Sequence, residues 1–81
     1  MARIHSVTLY TKPGCSLCDK AKALLTTAKL EYVEVNVLGD EALRERYQYE
    51  IPVLVGADGR ELMKGIFSES RVAALVARGV V

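Results

Sequence analysis

The sequence has no tryptophan and only five aromatic residues, four Tyr and one Phe. A core built almost without large rings must come from Val, Leu, Ile and Ala. The hydrophobic content of 51% is enough to supply one and argues against a disordered chain. Net charge is equally scarce: 11 Lys and Arg against 10 Asp and Glu leave +1, with the signs mixed along the chain. That gives no strongly basic face for nucleic acid or an anionic membrane to bind. No run approaches the roughly 18 consecutive apolar residues of a membrane span. The opening Met1-Ala2-Arg3-Ile4-His5 carries no apolar stretch of the signal-peptide kind. A cytoplasmic protein is expected. Its 81 residues make one domain, residues 1–81, with a small core and with no repeat, low-complexity tract or linker. Histidine occurs once, as His5, which reads as a solvated residue at a strand start. Cysteine occurs twice, two residues apart.

Those two cysteines close the stretch Thr11-Lys12-Pro13-Gly14-Cys15-Ser16-Leu17-Cys18. In a reducing cytosol a lone Cys-x-x-Cys points to redox chemistry or metal binding rather than to a structural staple. The stretch sits where a strand-like run gives way to a helix-like run. The free N–H groups at a helix start carry partial positive charge and stabilise a thiolate. Lys12 adds a full charge upstream, and the i, i+3 spacing puts both sulfurs on one helix face, close enough to bridge. Gly14 permits an unusual backbone angle or a close approach before the nucleophile, and Pro13 stiffens the turn. The reading is a dithiol with Cys15 as accessible nucleophile and Cys18 as shielded resolving thiol.

The surrounding pattern alternates strands and helices. Residues 4–10 read as a central strand. Residues 16–28 read as a helix with Leu17, Ala21, Leu24, Leu25 and Ala28 on one apolar stripe and Cys18 beside it. Asp19 favours the helix dipole but opposes Lys12 near a thiolate. Lys20, Lys22 and Lys29 read as a solvated face. Residues 31–37 alternate, with Val33, Val35 and Val37 inward and Tyr32, Glu34 and Asn36 on a wet face, as in an edge strand. The intervening helix makes this a right-handed parallel crossover. Asp40 is expected to cap a short charged helix, Glu41 to Tyr47, that buries Leu43 and Tyr47. Ile51-Pro52-Val53-Leu54-Val55 reads as a buried strand entered through a proline that is a candidate for a cis bond. Asp58-Gly59 marks a hairpin turn to an edge strand at Arg60 to Lys64. Ser68 is expected to cap a last helix with Val72, Leu75, Val76 and Val80 inward. The order is β-α-β-α-β-β-α: an α/β fold with a four-stranded mixed sheet and helices on both faces.

With Leu9-Tyr10-Thr11-Lys12-Pro13-Gly14-Cys15-Ser16-Leu17-Cys18 followed by Ile51-Pro52-Val53-Leu54-Val55, the chain resembles glutaredoxins and the wider thioredoxin-like superfamily. Within them it looks like the short bacterial kind with Cys-x-Leu-Cys. The resemblance runs over nearly the full length. It implies a thioredoxin-like fold and thiol–disulfide exchange through Cys15 and Cys18. Lys12 then helps hold the thiolate and a substrate carboxylate, Pro52 lies beside the dithiol, and the backbone of Ile51, with Val53 after it, meets the cysteinyl part of a substrate. Two stretches depart from the usual glutaredoxin pattern. Ser16-Leu17 stands where Pro-Tyr is common, and Lys64-Gly65-Ile66-Phe67-Ser68 has one glycine where two are usual, with no clear counterpart of the aspartate. Both bear on the reductant, so glutathione and thioredoxin reductase stay open as electron donors. The implied substrate is a disulfide-containing protein or a low-molecular-weight thiol. A monomer is expected, with no tightly bound cofactor and no metal.

Two other readings remain. The cysteine pair could supply half of a zinc site or share a metal or iron–sulfur centre across a dimer, since His5 is the only other soft ligand in the chain. The fold could also serve as a non-catalytic binding module, although a bare scaffold needs neither cysteine, Lys12 nor Pro52.

Overall fold

The computed structural model describes residues 7–78. Ile4, His5 and Ser6 of the expected first strand and Val80 of the expected last helix lie outside the described residues. The elements are β1 (Thr8–Thr11), α1 (Ser16–Thr27), β2 (Val33–Asn36), α2 (Glu41–Tyr47), β3 (Val53–Val55), β4 (Glu61–Lys64) and α3 (Glu69–Ala77). A single 3-10 turn, Val37–Gly39, links β2 to α2.

The sheet order is β2-β1-β3-β4. β1 pairs parallel with β2, Thr8 opposite Val33 and Thr11 opposite Asn36. It pairs antiparallel with β3, Tyr10 opposite Val53. β3 pairs antiparallel with β4, with an irregularity between Leu54 and Val55. The hydrophobic strands are therefore the central ones, and the charged β2 and β4 form the edges, where exposed polar side chains discourage further pairing. The Asp58-Gly59 turn closes the β3–β4 hairpin. Gly59 takes φ +85°, and the Asp58 carboxylate accepts the Arg60 N–H at 3.0 Å.

Two small cores sandwich the sheet. On one face Leu9 and Leu54 pack with Ala21 and Leu25 of α1, Phe67, and Val72 and Leu75 of α3. On the other, Val53 and Val55 pack with Val37 and Tyr47, flanked by Tyr10 and Leu43. The rings of Tyr10 and Tyr47 stack at 4.7 Å, which ties α2 to the end of β1. The caps form as the sequence predicts. The Asp40 carboxylate accepts Leu43 N–H at 3.1 Å, and the Ser68 hydroxyl accepts Arg71 N–H at 3.2 Å.

Three expectations are corrected. Leu17 leaves the buried stripe of α1 and is 41% exposed, while Cys18 joins that stripe with Ala21 and Leu25. In β2, Val33 is 54% exposed and only Val37, already in the 3-10 turn, is fully buried. At seven residues, α2 covers one end of that edge strand and leaves the other open. The outer face of β2 is not simply wet either, because Tyr32 packs against the α1–α3 core. Val76 is exposed, being turned about 100° round α3 from the buried Leu75.

Candidate active site: a dithiol at the start of α1

β1 lies inside the sheet and ends at Thr11, whose side chain is buried. The chain then leaves the sheet through Lys12, Pro13 and Gly14. Gly14 has φ +75°, a conformation that costs an L-residue with a side chain about 1 kcal/mol or more. This left-handed step turns the backbone so that Cys15 is extended, with φ −103° and ψ 108°, and becomes the N-cap of α1. A cap supplies an acceptor to the unpaired first-turn N–H groups, normally from a hydroxyl or carboxylate. Here the acceptor is sulfur: Cys18 N–H donates to Cys15 Sγ at 3.1 Å, while Asp19 N–H donates to the Cys15 carbonyl at 3.1 Å.

Cys15 and Cys18 are joined as a disulfide, their Cα atoms 5.2 Å apart. Their surroundings differ. Cys15 is half-buried at the mouth of the loop, and Cys18 is 1% exposed beneath it. The N–H that meets Cys15 Sγ in the disulfide would, after reduction, face a thiolate, where a hydrogen bond is about twice as strong. Lys12 is half-buried and, among the described residues, is in no ion pair.

The second wall comes from β3. Continuing the β1–β3 register by one step sets Thr11 level with Pro52, so the entry to β3 meets the exit of β1. The Ile51–Pro52 peptide is cis and Pro52 is buried. The Pro52 carbonyl accepts Gly65 N–H at 2.9 Å, bringing the Gly65–Ser68 loop to the same end. Ile51 N–H donates to the Tyr47 carbonyl at 3.1 Å. The Val53 side chain is sealed in the α2-side core, so Val53 shapes the site through its backbone. Cys15, Cys18, Lys12, Ile51, Pro52 and Val53 thus gather at one end of the two central strands.

A polar network under the loop was not visible in the sequence pattern. Thr11 Oγ1 donates to Glu34 Oε2 at 2.9 Å, Lys22 Nζ donates to the same oxygen at 3.1 Å, and Lys22 Nζ lies 3.6 Å from Asp19 Oδ1. Lys22 is therefore paired at the surface and not a free solvated lysine. Asp19, expected to oppose Lys12, is instead drawn toward Lys22. The Thr11 hydroxyl holds the Glu34 carboxyl below its ordinary value; burial opposes it, and the bond and charge of Lys22 add to the lowering. Lys22 is raised, chiefly by its bond to Glu34, with Asp19 adding to it. The one available signal was Glu34 itself, an acid on a strand beside a helix that carries lysines.

The same end of the sheet is rimmed with apolar side chains that do not pack. Leu17 lies between the two cysteines, Leu38 follows β2, Tyr49 precedes Ile51 and is 90% exposed, and Ile66 follows Gly65 and is 67% exposed. Arg71 Nη1 donates to the Ile66 carbonyl at 2.9 Å and steadies that loop. Among the described residues no group of three or more His, Cys, Asp or Glu could hold a metal ion, and no helix is long and apolar enough to cross a membrane.

The family described as Glutaredoxin-like domain (DUF836) matches residues 6–77. The chain belongs to this glutaredoxin-like family. It is 30% identical over 66 residues to glutaredoxin 3 of Escherichia coli K12, covering 82% of this chain and 71% of that protein. The Gene 56 protein of Mycobacterium phage L5 is 40% identical over 48 residues, 59% of this chain, but the match spans only 44% of the phage protein. Among solved structures, the target protein XcR50 from X. campestris superposes with a TM-score of 0.81 at 32% identity, over 90% of this chain and 97% of that one. The mixed sheet of the glutaredoxin-like chain, with its three helices, is the thioredoxin-like fold. Family and disulfide together support a role in thiol redox chemistry.

Proposed function

We propose that the protein is a thiol–disulfide oxidoreductase that reduces disulfides through Cys15 and Cys18. The observation that carries this is the unlike pair of sulfurs. One is accessible and caps a helix, and the other is buried one turn along. In the reduced protein the Cys15 thiolate attacks one sulfur of a substrate disulfide R–S–S–R′. A Cys15–S–S–R bond forms, the substrate S–S bond breaks, and R′S⁻ leaves and takes a proton from water. Cys18 then loses its proton and attacks Cys15 Sγ, expelling RS⁻. The substrate has gained two electrons and the protein holds the Cys15–Cys18 disulfide. The rate of the first step follows the thiolate fraction of Cys15 and the leaving-group pKa.

In this reading Lys12 holds the thiolate and a substrate carboxylate. The Ile51 carbonyl accepts a substrate N–H, and Pro52 and Val53 form the floor against which the substrate sulfur lies. The apolar rim of Leu17, Leu38, Tyr49 and Ile66 supports a protein disulfide as substrate. A small tripeptide disulfide would leave most of that surface wet, whereas a protein segment would cover it. The electron donor is glutathione or thioredoxin reductase. The protein acts as a cytoplasmic monomer, in the compartment where thiols are kept reduced, with no tightly bound cofactor.

The test is the Cys15–Cys18 reduction potential, with turnover measured against glutathione and, separately, against thioredoxin reductase. A potential near about −200 to −230 mV with turnover by glutathione would match glutaredoxins, and one near about −270 mV with turnover only by the reductase would match a thioredoxin-like donor. If oxidation produces no Cys15–Cys18 disulfide, the enzyme reading fails, and a metal bridged between two copies becomes the better account of the pair.

A further inference from the structure

We infer that the Glu34–Lys22 pair sets the local charge beneath the dithiol, so that in the reduced protein the proton stays on Cys18 and the negative charge on Cys15. This rests on the redox reading above and adds to it two positioning residues outside the Cys-x-x-Cys loop.

The geometry begins with register. Glu34 lies beside Leu9 in the parallel β1–β2 pair, and paired positions share a face of the sheet. Leu9 packs under α1, so Glu34, and Thr11 two residues beyond Leu9, face α1 as well. Lys22 reaches down from α1 to Glu34, with Nζ 3.1 Å from the carboxylate. Cys18 precedes Lys22 by one helical turn, where Cβ atoms stand about 5–6 Å apart on one face. Asp19 adjoins Cys18 in sequence, and its carboxylate lies 3.6 Å from Lys22 Nζ. Two carboxylates and one ammonium leave a net charge of −1 about one helical turn from Cys18, while Cys15 Sγ accepts a helix N–H and follows Lys12 by three residues. Burial of Cys18 acts in the same direction, since it disfavours the charged thiolate.

The other charged groups around this end are engaged. Glu50 pairs with Lys64 at 3.3 Å, Arg71 is tied to the Ile66 carbonyl, and Asp40 caps α2. Lys20 is exposed on α1 and Glu69 is exposed in the first turn of α3. β3 and the Gly65–Ser68 loop bring the uncharged Ile51, Pro52, Gly65 and Ile66 to the same end. Glu34 is a poor proton acceptor for a thiol, because Thr11 and Lys22 hold it ionised. It acts as a fixed charge and not as a base.

Charge and structure are separable because the two partners carry opposite signs. Glu34→Gln keeps an oxygen to accept from Thr11 and removes only the negative charge. Lys22→Met removes the positive one at similar length, and Lys22→Gln repeats that loss with a different side chain. The expected result for Glu34→Gln is a lower alkylation midpoint of Cys18, read in the Cys15→Ser background, with a smaller fall at Cys15, and a disulfide about threefold easier to reduce, or about 14 mV more oxidising by the two-electron conversion. Both Lys22 variants should shift midpoint and potential the other way by about the same factor. Thermal midpoints would be recorded alongside. A purely structural role predicts loss of stability in all variants and a shift of the same sign, or no shift, in potential. That pattern would overturn the inference. A wild-type protein that forms no disulfide would instead overturn the redox reading on which it rests.

Discussion

The inequality of the two sulfurs has a consequence that a rate measurement reads directly. Cys15→Ser and Cys18→Ser each leave one thiol in an otherwise intact molecule. In Cys15→Ser the new hydroxyl is a good cap and keeps the first turn of α1 closed, so Cys18 stays covered. A reagent reaches it only when that turn opens. Opening breaks two hydrogen bonds, Cys18 N–H to the capping side chain and Asp19 N–H to the residue 15 carbonyl, both 3.1 Å in the wild type. At about 1 kcal/mol each net, these contribute about 2 kcal/mol. Exposing the Cys18 side chain adds about 1 kcal/mol. The total of about 3 kcal/mol corresponds to an open fraction near 1 in 100, with 1.4 kcal/mol counted per factor of ten. In Cys18→Ser no opening is needed, and a raised thiolate fraction on Cys15 increases the contrast further.

Iodoacetamide labelling of each reduced variant at pH 7, followed by mass spectrometry, should therefore give Cys15 a rate at least about 100-fold above that of Cys18. In strong urea the two rates should converge, which separates folded-state shielding from intrinsic reactivity. Native rates within about threefold of one another, or faster labelling of Cys18, would refute both the burial argument and the assignment of nucleophile and resolving thiol.

Three further outcomes follow from the packing and charges. Ser68→Ala removes the acceptor of Arg71 N–H at the start of α3 and should cost about 1 kcal/mol in urea unfolding; an unchanged midpoint would show that the cap is replaced by solvent. Leu54→Ala empties a fully buried position between β1, β4 and the α1–α3 core and should cost about 2–5 kcal/mol, read by the same method. The Glu34 carboxyl lies below its ordinary value in the folded state, so its stabilising effect is complete above that ordinary value and is lost as pH falls through the lower folded one. Glu34 is partly exposed and water screens it, so the effect is small; the gap in unfolding midpoint between wild type and Glu34→Gln should shrink between pH 7 and pH 3, and a gap that does not change would exclude the ion pair as its source.

Most of the architecture was legible because it is local. Asp40 and Ser68 precede apolar-periodic runs, Asp58-Gly59 separates two strand-like runs, and Val53–Val55 is continuously apolar, as a covered strand requires. The misreadings share one cause. Leu17, Val33 and Val76 have the residue type and spacing of core positions, but periodicity does not report how far a neighbouring element extends. Leu17 sits in the first turn of α1, Val33 opens β2 at the end away from the 3-10 turn, and Val76 turns out past Leu75. The Thr11–Glu34–Lys22 link was illegible for a related reason. It joins three elements at separations of 23 and 12 residues, and only the β1–β2 register brings them together.

The placement of exposed apolar groups bears most directly on function. A chain of 81 residues with two small cores has few large apolar side chains to leave outside. Leu17 stands in the first turn of α1, Leu38 in the 3-10 turn after β2, and Tyr49 and Ile66 on the loops before β3 and after β4; the β1–β2, β1–β3 and β3–β4 registers bring these four segments to the end of the sheet where Cys15 opens. Val33 and Val76, the other exposed large hydrophobics among the described residues, lie toward the opposite ends of β2 and α3. Random leakage from the cores would place such residues wherever an element ends. Concentration around the accessible sulfur is what a surface that docks a partner's apolar flank requires, with the reactive bond held at its centre. Replacing Ile66 and Tyr49 by Ser should therefore slow reduction of a protein disulfide while leaving reduction of a small disulfide such as hydroxyethyl disulfide within about twofold, since only the former covers the rim. Equal losses on both substrates would place these side chains in the folding of the loops and not in recognition.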